Sequence, residues 1–97
     1  MFFNFDLTLF PFVIIDFNSE EINDLDFDLF INNWERLYSY KKDFILIFNT
    51  HNMSIPPLKY CFKMSMFIKK IRTFNPQYLN KSIINIKNKT ISNMLEF

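Results

Sequence analysis

A polar loop in the middle of the chain contains the side chains that could act as a nucleophile and its base. His51 is the only histidine among 97 residues, and Thr50 and Ser54 place a hydroxyl on either side of it. A hydroxyl activated by an imidazole is a common arrangement for nucleophilic catalysis. The sequence shows no third group to orient the histidine and no glycine to build an exposed nucleophile turn. Asn49 and Asn52 instead favour an ordinary polar or recognition loop, with turn and cap hydrogen bonds.

Residues that bind metals or cofactors do not occur in a usable pattern. Asp24, Asp26 and Asp28 alternate as in a calcium loop, but the glutamate and the glycine that such a loop requires are missing. The single Cys61 excludes an intramolecular disulfide and a cysteine-rich metal site. The absence of glycine excludes a Gly-rich phosphate loop or a dinucleotide fingerprint. The sequence therefore predicts no metal and no cofactor, and the lone cysteine favours a reducing, cytoplasmic setting.

Charge is divided unevenly along the chain although the net charge is only +1. Residues 1–40 carry eight acidic residues against one arginine, which gives −7. Residues 41–97 carry ten basic residues against two acidic ones, which gives +8. Such a split indicates either complementary charges on neighbouring elements or a bipolar surface for association. We expect internal pairing, with association as the alternative.

A basic surface is predicted on a helix in the second half of the chain. Lys59, Lys63 and Lys70 share the helix face opposite to its apolar side, with Lys69 and Arg72 beside them. Such a face could meet phosphate groups or acidic lipids. Interleaved stacking aromatics are not evident and the chain is nearly neutral, so we expect a protein partner and no nucleic acid.

Hydrophobic periodicity predicts two strands and a helix in the first half of the chain. Residues 2–9 alternate as a half-buried strand, and Pro11 ends it before a second strand at residues 12–17. A turn at residues 18–21, with capping-box spacing between its Asn and its Glu, precedes a helix over residues 24–40. The apolar positions of this helix share one face, namely Phe27, Phe30, Ile31, Trp34, Leu37 and Tyr38. Because the chain has no glycine, turns of positive φ are expected at Asn or Asp.

The second half predicts two more strands and two more helices. Residues 44–48 show no alternation, which is typical of a central strand covered on both faces in a parallel sheet. A helix is expected to begin at Pro57, followed by a short strand at residues 81–87 and a final helix after Asn88. The sequence thus predicts one α/β domain over residues 1–97, with a mixed sheet of about four strands in the order β-β-α-β-α-β-α.

No segment of the sequence predicts membrane insertion or export. The longest apolar runs, at residues 9–15 and 44–48, are far shorter than a bilayer span. The N-terminus has no basic region and carries Asp6 inside its apolar stretch, unlike a secretory signal. We therefore expect a soluble protein without a transmembrane segment.

The predicted order of elements resembles that of STAS domains, the small α/β fold of anti-sigma-factor antagonists. Within that class the sequence is similar to a group of uncharacterised STAS-like proteins of protists and large DNA viruses. The similar stretches are Trp34–Tyr38, Lys42–Thr50, Lys59–Tyr60, Lys63–Lys70 and Pro76–Ile84. The resemblance covers most of residues 12–95.

In bacterial STAS domains, the resemblance implies a phosphorylatable serine in an Asp-Ser-Ser-Gly-like turn after the central strand. The corresponding segment is residues 50–57, where Thr50 and Ser54 are the nearest hydroxyls. The Asp-Ser-Ser and the Gly of that turn are not present here. The resemblance also implies a tail beyond the last helix, so the chain is expected to be short at its C-terminus.

Three functions follow from these observations. The first is a non-enzymatic regulatory or protein-interaction module of STAS-like type. Its docking surface would combine the loop and the basic face, namely Asn49, His51, Asn52, Lys59, Lys63 and Lys70. The second is lipid or small-ligand binding in a pocket lined by Phe and Met, as the distantly similar CRAL-TRIO architecture implies. The third is an enzyme that uses His51.

Overall fold

The computed structural model describes residues 1–85 of the chain. Its elements are, in chain order, strand β1 (Phe3–Asp6), strand β2 (Phe12–Phe17), helix α1 (Asp24–Leu37), a short 3-10 turn (Tyr38–Tyr40), strand β3 (Phe44–Asn49), helix α2 (Leu58–Ile71) and strand β4 (Leu79–Asn85). The predicted α/β class and the four-stranded mixed sheet are confirmed. The predicted final helix lies outside the described residues.

The four strands lie side by side in their chain order. β1 runs antiparallel to β2, with Phe3 opposite Phe17. β2, β3 and β4 are parallel, and Ile47 of β3 lies between Ile14 of β2 and Ile83 of β4. Parallel neighbours need a crossover connection, which α1 supplies between β2 and β3 and α2 supplies between β3 and β4.

Both helices pack on the same face of the sheet, which we call the covered face. Right-handed crossovers that advance in one direction across a sheet place their helices on one side of it, and these strands advance in one direction. The strand side chains of the covered face are Val13, Ile15, Phe17, Phe44, Leu46 and Phe48. They form one core cluster with Phe27, Phe30, Trp34 and Leu37 of α1 and with Tyr60, Met64, Phe67, Ile68 and Ile71 of α2.

The opposite face of the sheet, which we call the open face, is apolar as well. Its central residues are Phe12, Ile14, Ile45, Ile47 and Ile83, and none of them belongs to the core cluster. Burial alternates along β3 from Phe44 to Asn49, every second side chain being only partly buried. The expectation that β3 is covered on both faces is therefore wrong for the described part of the chain. The alternation is hidden in the sequence because isoleucine also suits a half-exposed sheet surface.

Local hydrogen bonds set the ends of α1. Asn23 caps the helix, because its side-chain oxygen accepts a hydrogen bond from the backbone N–H of Asp26 at 2.8 Å. The turn predicted at residues 18–21 is present, because the side chain of Asn18 accepts a hydrogen bond from the backbone N–H of Glu20. The capping-box interpretation of Asn18 is wrong, since Asn23 caps the helix. After the 3-10 turn, Lys41 adopts a φ of 54°. The expectation that positive φ would fall on Asn or Asp is therefore wrong as well.

Strand and helix bounds differ from the predictions by a few residues. β1 ends at Asp6, because its carboxylate accepts hydrogen bonds from the backbone N–H and the hydroxyl of Thr8 and thereby starts the turn before Pro11. α2 begins one residue later than predicted, at Leu58, with Pro57 as its cap. Within residues 1–85, neither helix has the length and apolar content needed to cross a bilayer.

Candidate functional site

The loop between β3 and α2 lies where the parallel strands end, which is the usual ligand position of open α/β sheets. Together with the connection between β2 and α1 it forms a cleft of about 270 Å³. One wall of this cleft is Met53–Pro57 and the other is Asn18–Ile22. Ser54 therefore lies in a concave site, whereas Asn49 and His51 do not line it.

Thr50 is part of the core and does not face the cleft. Only 1% of its surface is exposed. Its hydroxyl donates to the backbone carbonyl oxygen of Asn85 at 2.8 Å, and its backbone N–H donates to the same oxygen at 3.0 Å. The hydroxyl thus links the ends of β3 and β4 and is inaccessible to an imidazole base or to a kinase. Of the two hydroxyls at the predicted phosphoacceptor position, Ser54 is the exposed one.

His51 and Asn52 form the exposed tip of the loop. The backbone N–H of His51 donates to the side-chain oxygen of Asn49 at 3.4 Å. The amide nitrogen of Asn49 in turn donates to the carboxylate of Asp16 at 3.0 Å. Asn49 therefore tethers the loop tip to β2. His51 and Asn52 are therefore exposed to solvent next to a loop residue that is bonded to the sheet.

Groups that would support other chemistry are not assembled in the described part of the chain. Residues 1–85 contain no group of three or more potential metal ligands. The sulfur of Cys61 lies 3.8 Å from the carbonyl oxygen of Pro56, and burial raises the pKa of its thiol. A raised pKa keeps the thiol protonated at neutral pH, so Cys61 is not an activated nucleophile.

The first two lysines of the predicted basic face pair with α1. The ammonium groups of Lys59 and Lys63 lie 2.9 and 3.7 Å from one carboxylate oxygen of Asp24. The hydroxyl of Tyr60 donates to the same oxygen at 2.8 Å. The hydrogen bonds from Lys59 and Tyr60, strengthened by the lysine charges, lower the pKa of Asp24 to about 2.

The third lysine of the basic face pairs with α1 in the same way. The ammonium group of Lys70 lies 2.7 Å from a carboxylate oxygen of Glu35. The basic half of the chain is therefore held against the acidic half, as the internal interpretation of the charge split predicts. Exposed pairs of this kind contribute little to stability. Because two lysines share Asp24, an excess of positive charge remains at the start of α2.

A row of exposed apolar side chains along α2 was not predicted as a site. We call it the α2 stripe. Its members are Ile55, in the loop just before the helix, and Leu58, Phe62 and Met66 on the helix, and they are 60%, 83%, 69% and 55% exposed. Leu58, Phe62 and Met66 are four residues apart, so they are neighbours on one side of the helix. That spacing is the signal in the sequence, and it is obscured by the lysines that alternate with it.

Comparisons with known proteins do not identify the chain. No protein-family model, no curated protein and no solved structure matches it.

Proposed function

We propose that the chain is a non-enzymatic, STAS-like interaction module that binds a protein partner through the α2 stripe and the adjoining loop. The observation that carries the proposal is the exposure of Leu58 and Phe62, at 83% and 69%, on one side of a helix whose other side is fully packed. Adjacent large apolar side chains left in water mark a binding surface more often than single ones do.

The shape and charge of this surface favour an amphipathic helix with an acidic rim as the partner element. A row of apolar side chains at four-residue spacing fits the apolar stripe of a second helix. Lys59 and Lys63 flank the α2 stripe and have one carboxylate between them, so a carboxylate of the partner would complete the pairing. Such rim charges act mainly on specificity and association rate.

A second copy of the same chain fits this surface less well. α2 contains Lys59, Lys63, Lys69 and Lys70 and no acidic residue. A symmetric contact between two α2 stripes would bring two basic helices together, and like charges across an interface are unfavourable. Charge complementarity thus favours a different, acidic partner.

The STAS-like part of the proposal places regulation at Ser54. This hydroxyl is exposed in the cleft beside Glu20 and Glu21 and precedes the α2 stripe in the chain. A phosphate there would add about two negative charges next to two carboxylates. We expect the substitution Ser54→Glu to alter partner affinity more than Ser54→Ala does, and equal affinities would remove Ser54 from the account.

Lipid binding inside the core and catalysis at His51 have weaker support. Residues Phe30, Trp34, Phe44 and Phe48 have 0% exposure and pack against their neighbours, so these rings do not line a lipid-sized cavity. Of the two hydroxyls that could serve as a nucleophile beside His51, that of Thr50 is already bonded to the backbone carbonyl oxygen of Asn85. The enzyme interpretation would be supported if His51→Ala abolished a defined activity of the protein.

The proposal is tested with two designed helical peptides that share a leucine stripe and differ only in a glutamate or a lysine rim. Isotope-edited NMR titration should show binding of the acidic peptide, with shifts centred on the α2 stripe. Phe62→Ser should weaken this binding by about tenfold, the loss expected for about 1.4 kcal/mol. Leu25→Ser is the matched control, since Leu25 is 72% exposed on α1.

Several outcomes would contradict the proposed partner. Unchanged affinity in Phe62→Ser, or equal binding of both peptides, would remove the α2 stripe or its charge from the account. Sedimentation that shows a dimer lost in Phe62→Ser would assign the surface to a second copy. Binding to anionic vesicles without binding to the acidic peptide would assign it to a lipid surface. Unchanged affinity in Lys59→Ala, Lys63→Ala and Lys70→Ala would remove the basic face.

A further inference from the structure

Two neighbouring clefts lie on the side of the molecule formed by β1 and the end of α1. The first has a volume of about 350 Å³ and is bounded by β1 and by the last turns of α1. The second, of about 330 Å³, lies beneath the turn between β1 and β2. Both are lined by Leu7 and Tyr40, so they adjoin each other, and we call the two together the β1–α1 groove.

Every charged side chain that lines the β1–α1 groove is positive. Arg36 lines the first cleft and Lys42 lines the second, and no Asp or Glu lines either of them. Among residues 1–85 neither cation has a carboxylate within ion-pair distance, in contrast to the lysines of α2. Arg36 also lies in the last turn of α1, where the helix dipole favours a positive charge. The charges of Arg36 and Lys42 therefore favour the binding of an anion in the groove.

Asn4 and Asn33 contribute polar groups to the first cleft, and the other uncharged lining residues of the β1–α1 groove are apolar or aromatic. Phe5 and Leu7 line the first cleft, and Phe10 and Tyr40 line the second. The rings of Phe10 and Tyr40 meet edge to face, with centroids 5.6 Å apart and an interplanar angle of 88°. This contact holds Tyr40 in place although 45% of its surface is exposed. A fixed ring beside a leucine offers a platform for the apolar part of a ligand.

We propose that the β1–α1 groove binds a small amphipathic anion, with an apolar body of about the size of an aromatic ring system and one carboxylate or phosphate group. The apolar body lies on Leu7 and Tyr40, and the anionic group pairs with Arg36 or Lys42. The guanidinium of Arg36 can bind either kind of oxyanion through two parallel hydrogen bonds. The volumes of the two clefts are in the range of small-molecule sites.

A third cleft of the molecule differs from the β1–α1 groove in the charge of its lining. The cleft beside the β3–α2 loop has a volume of about 270 Å³ but is lined by Glu20 and Glu21 and by no basic residue. An amphipathic anion should therefore avoid that cleft and occupy the β1–α1 groove. The site is separate from the α2 stripe, so it does not depend on the proposed protein partner.

The proposal is tested by fluorescence with anilinonaphthalene sulfonate and with phenylnaphthylamine, which has the same rings without the sulfonate. The anion should bind at one site and about tenfold more tightly than the neutral compound, and the difference should shrink with added salt. Decanoate and phenyl phosphate, used as competitors, distinguish a carboxylate from a phosphate ligand. Displacement by one of them supports the proposal and names the group.

Variants locate the site and separate it from the α2 stripe. Arg36→Gln with Lys42→Gln should weaken binding of the anion about tenfold and leave the neutral compound unaffected. Tyr40→Ala should weaken binding of both compounds. Leu25→Ser, at an exposed apolar residue of α1 outside the groove, and Lys69→Gln, in the last turn of α2, should change neither. Equal affinity for the two compounds, or loss of binding only in Phe62→Ser, would overturn the proposal.

Discussion

On the covered face of β3, Phe44, Leu46 and Phe48 have no exposed surface, whereas Ile45 and Ile47 on the open face keep part of theirs. The two faces are equally apolar in sequence. They differ because the strands advance in one direction across the sheet, so that both crossover helices come to lie on one side. Burial by the helices, and not hydrophobicity of the strand, therefore determines what each β3 side chain contributes to stability.

The largest effect is expected at the centre of the covered face. Trp34 is 0% exposed and contacts the rings of Phe30, Phe48 and Phe67. Trp34→Ala should lower the free energy of unfolding by about 3 to 5 kcal/mol, because it leaves a large cavity. Trp34→Phe should cost less, since the indole N–H has no hydrogen-bond partner among the described residues and is not missed. Chemical denaturation measures both, and equal losses would contradict this explanation.

Two adjacent positions of β3 provide the direct test of the two faces. Leu46→Ala should cost about 2 to 5 kcal/mol, as expected for a fully buried leucine. Ile47→Ala, on the open face, should cost about 1 kcal/mol, because less apolar surface returns to water. A comparable loss in the two variants would show that the open face is covered after all.

The alternation of β3 continues into its polar end, where smaller effects are expected. Thr50→Val removes the hydroxyl that donates to Asn85 and should cost about 1 kcal/mol. The cost is limited because the carbonyl oxygen of Asn85 keeps its bond from the backbone N–H of residue 50. Asn49→Ala removes the half-buried bond to Asp16 and should cost less, since water can replace it. A larger loss of stability in Asn49→Ala than in Thr50→Val would contradict this order, because the bond from Asn49 to Asp16 would then contribute more than the Thr50 hydroxyl.

Much of the fold could be predicted because its signals are local. The helix faces around Trp34 and Met64 follow from apolar spacing, and the four strands follow from apolar runs and prolines. The covered and open faces could not be separated in this way, because their difference depends on where two helices lie after folding. The cap at Asn23 was available from the sequence, as an Asn directly before an acidic first turn.

Less of the candidate site could be predicted. The loop was located correctly, but the accessibility of its hydroxyls depends on the alternation of β3, which places Thr50 with Phe48 on the covered face. The lysines were assigned to one helix face, yet their pairing with Asp24 and Glu35 requires the packing of α1 beside α2. The β1–α1 groove joins residues from both ends of the first half, and no single stretch of sequence contains that signal.

The smallest effect on stability is expected at the exposed ion pair between α1 and α2, in which Asp24 pairs with Lys59 and Lys63. The hydrogen bond from Lys59 and the bond from Tyr60 hold the pKa of Asp24 at about 2, below its usual value of 3.8. A carboxyl with a lowered pKa in the folded state stabilises that state above its unfolded pKa, and this contribution is lost as the pH falls through the folded value. Stability should therefore decline between about pH 4 and pH 2, in part through Asp24.

Asp24→Asn should remove part of that decline and lower stability slightly at pH 7, because an exposed pair contributes little. Asp28→Asn is the control, since Asp28 is an exposed acid on the same helix without an ion pair among residues 1–85. Denaturation midpoints measured at pH 7, 4, 3 and 2 distinguish the two variants. An identical pH profile in Asp24→Asn and in the unsubstituted chain would mean that the Asp24 carboxylate does not contribute to stability and that the contact between Phe27 and Tyr60 holds the two helices together at this point.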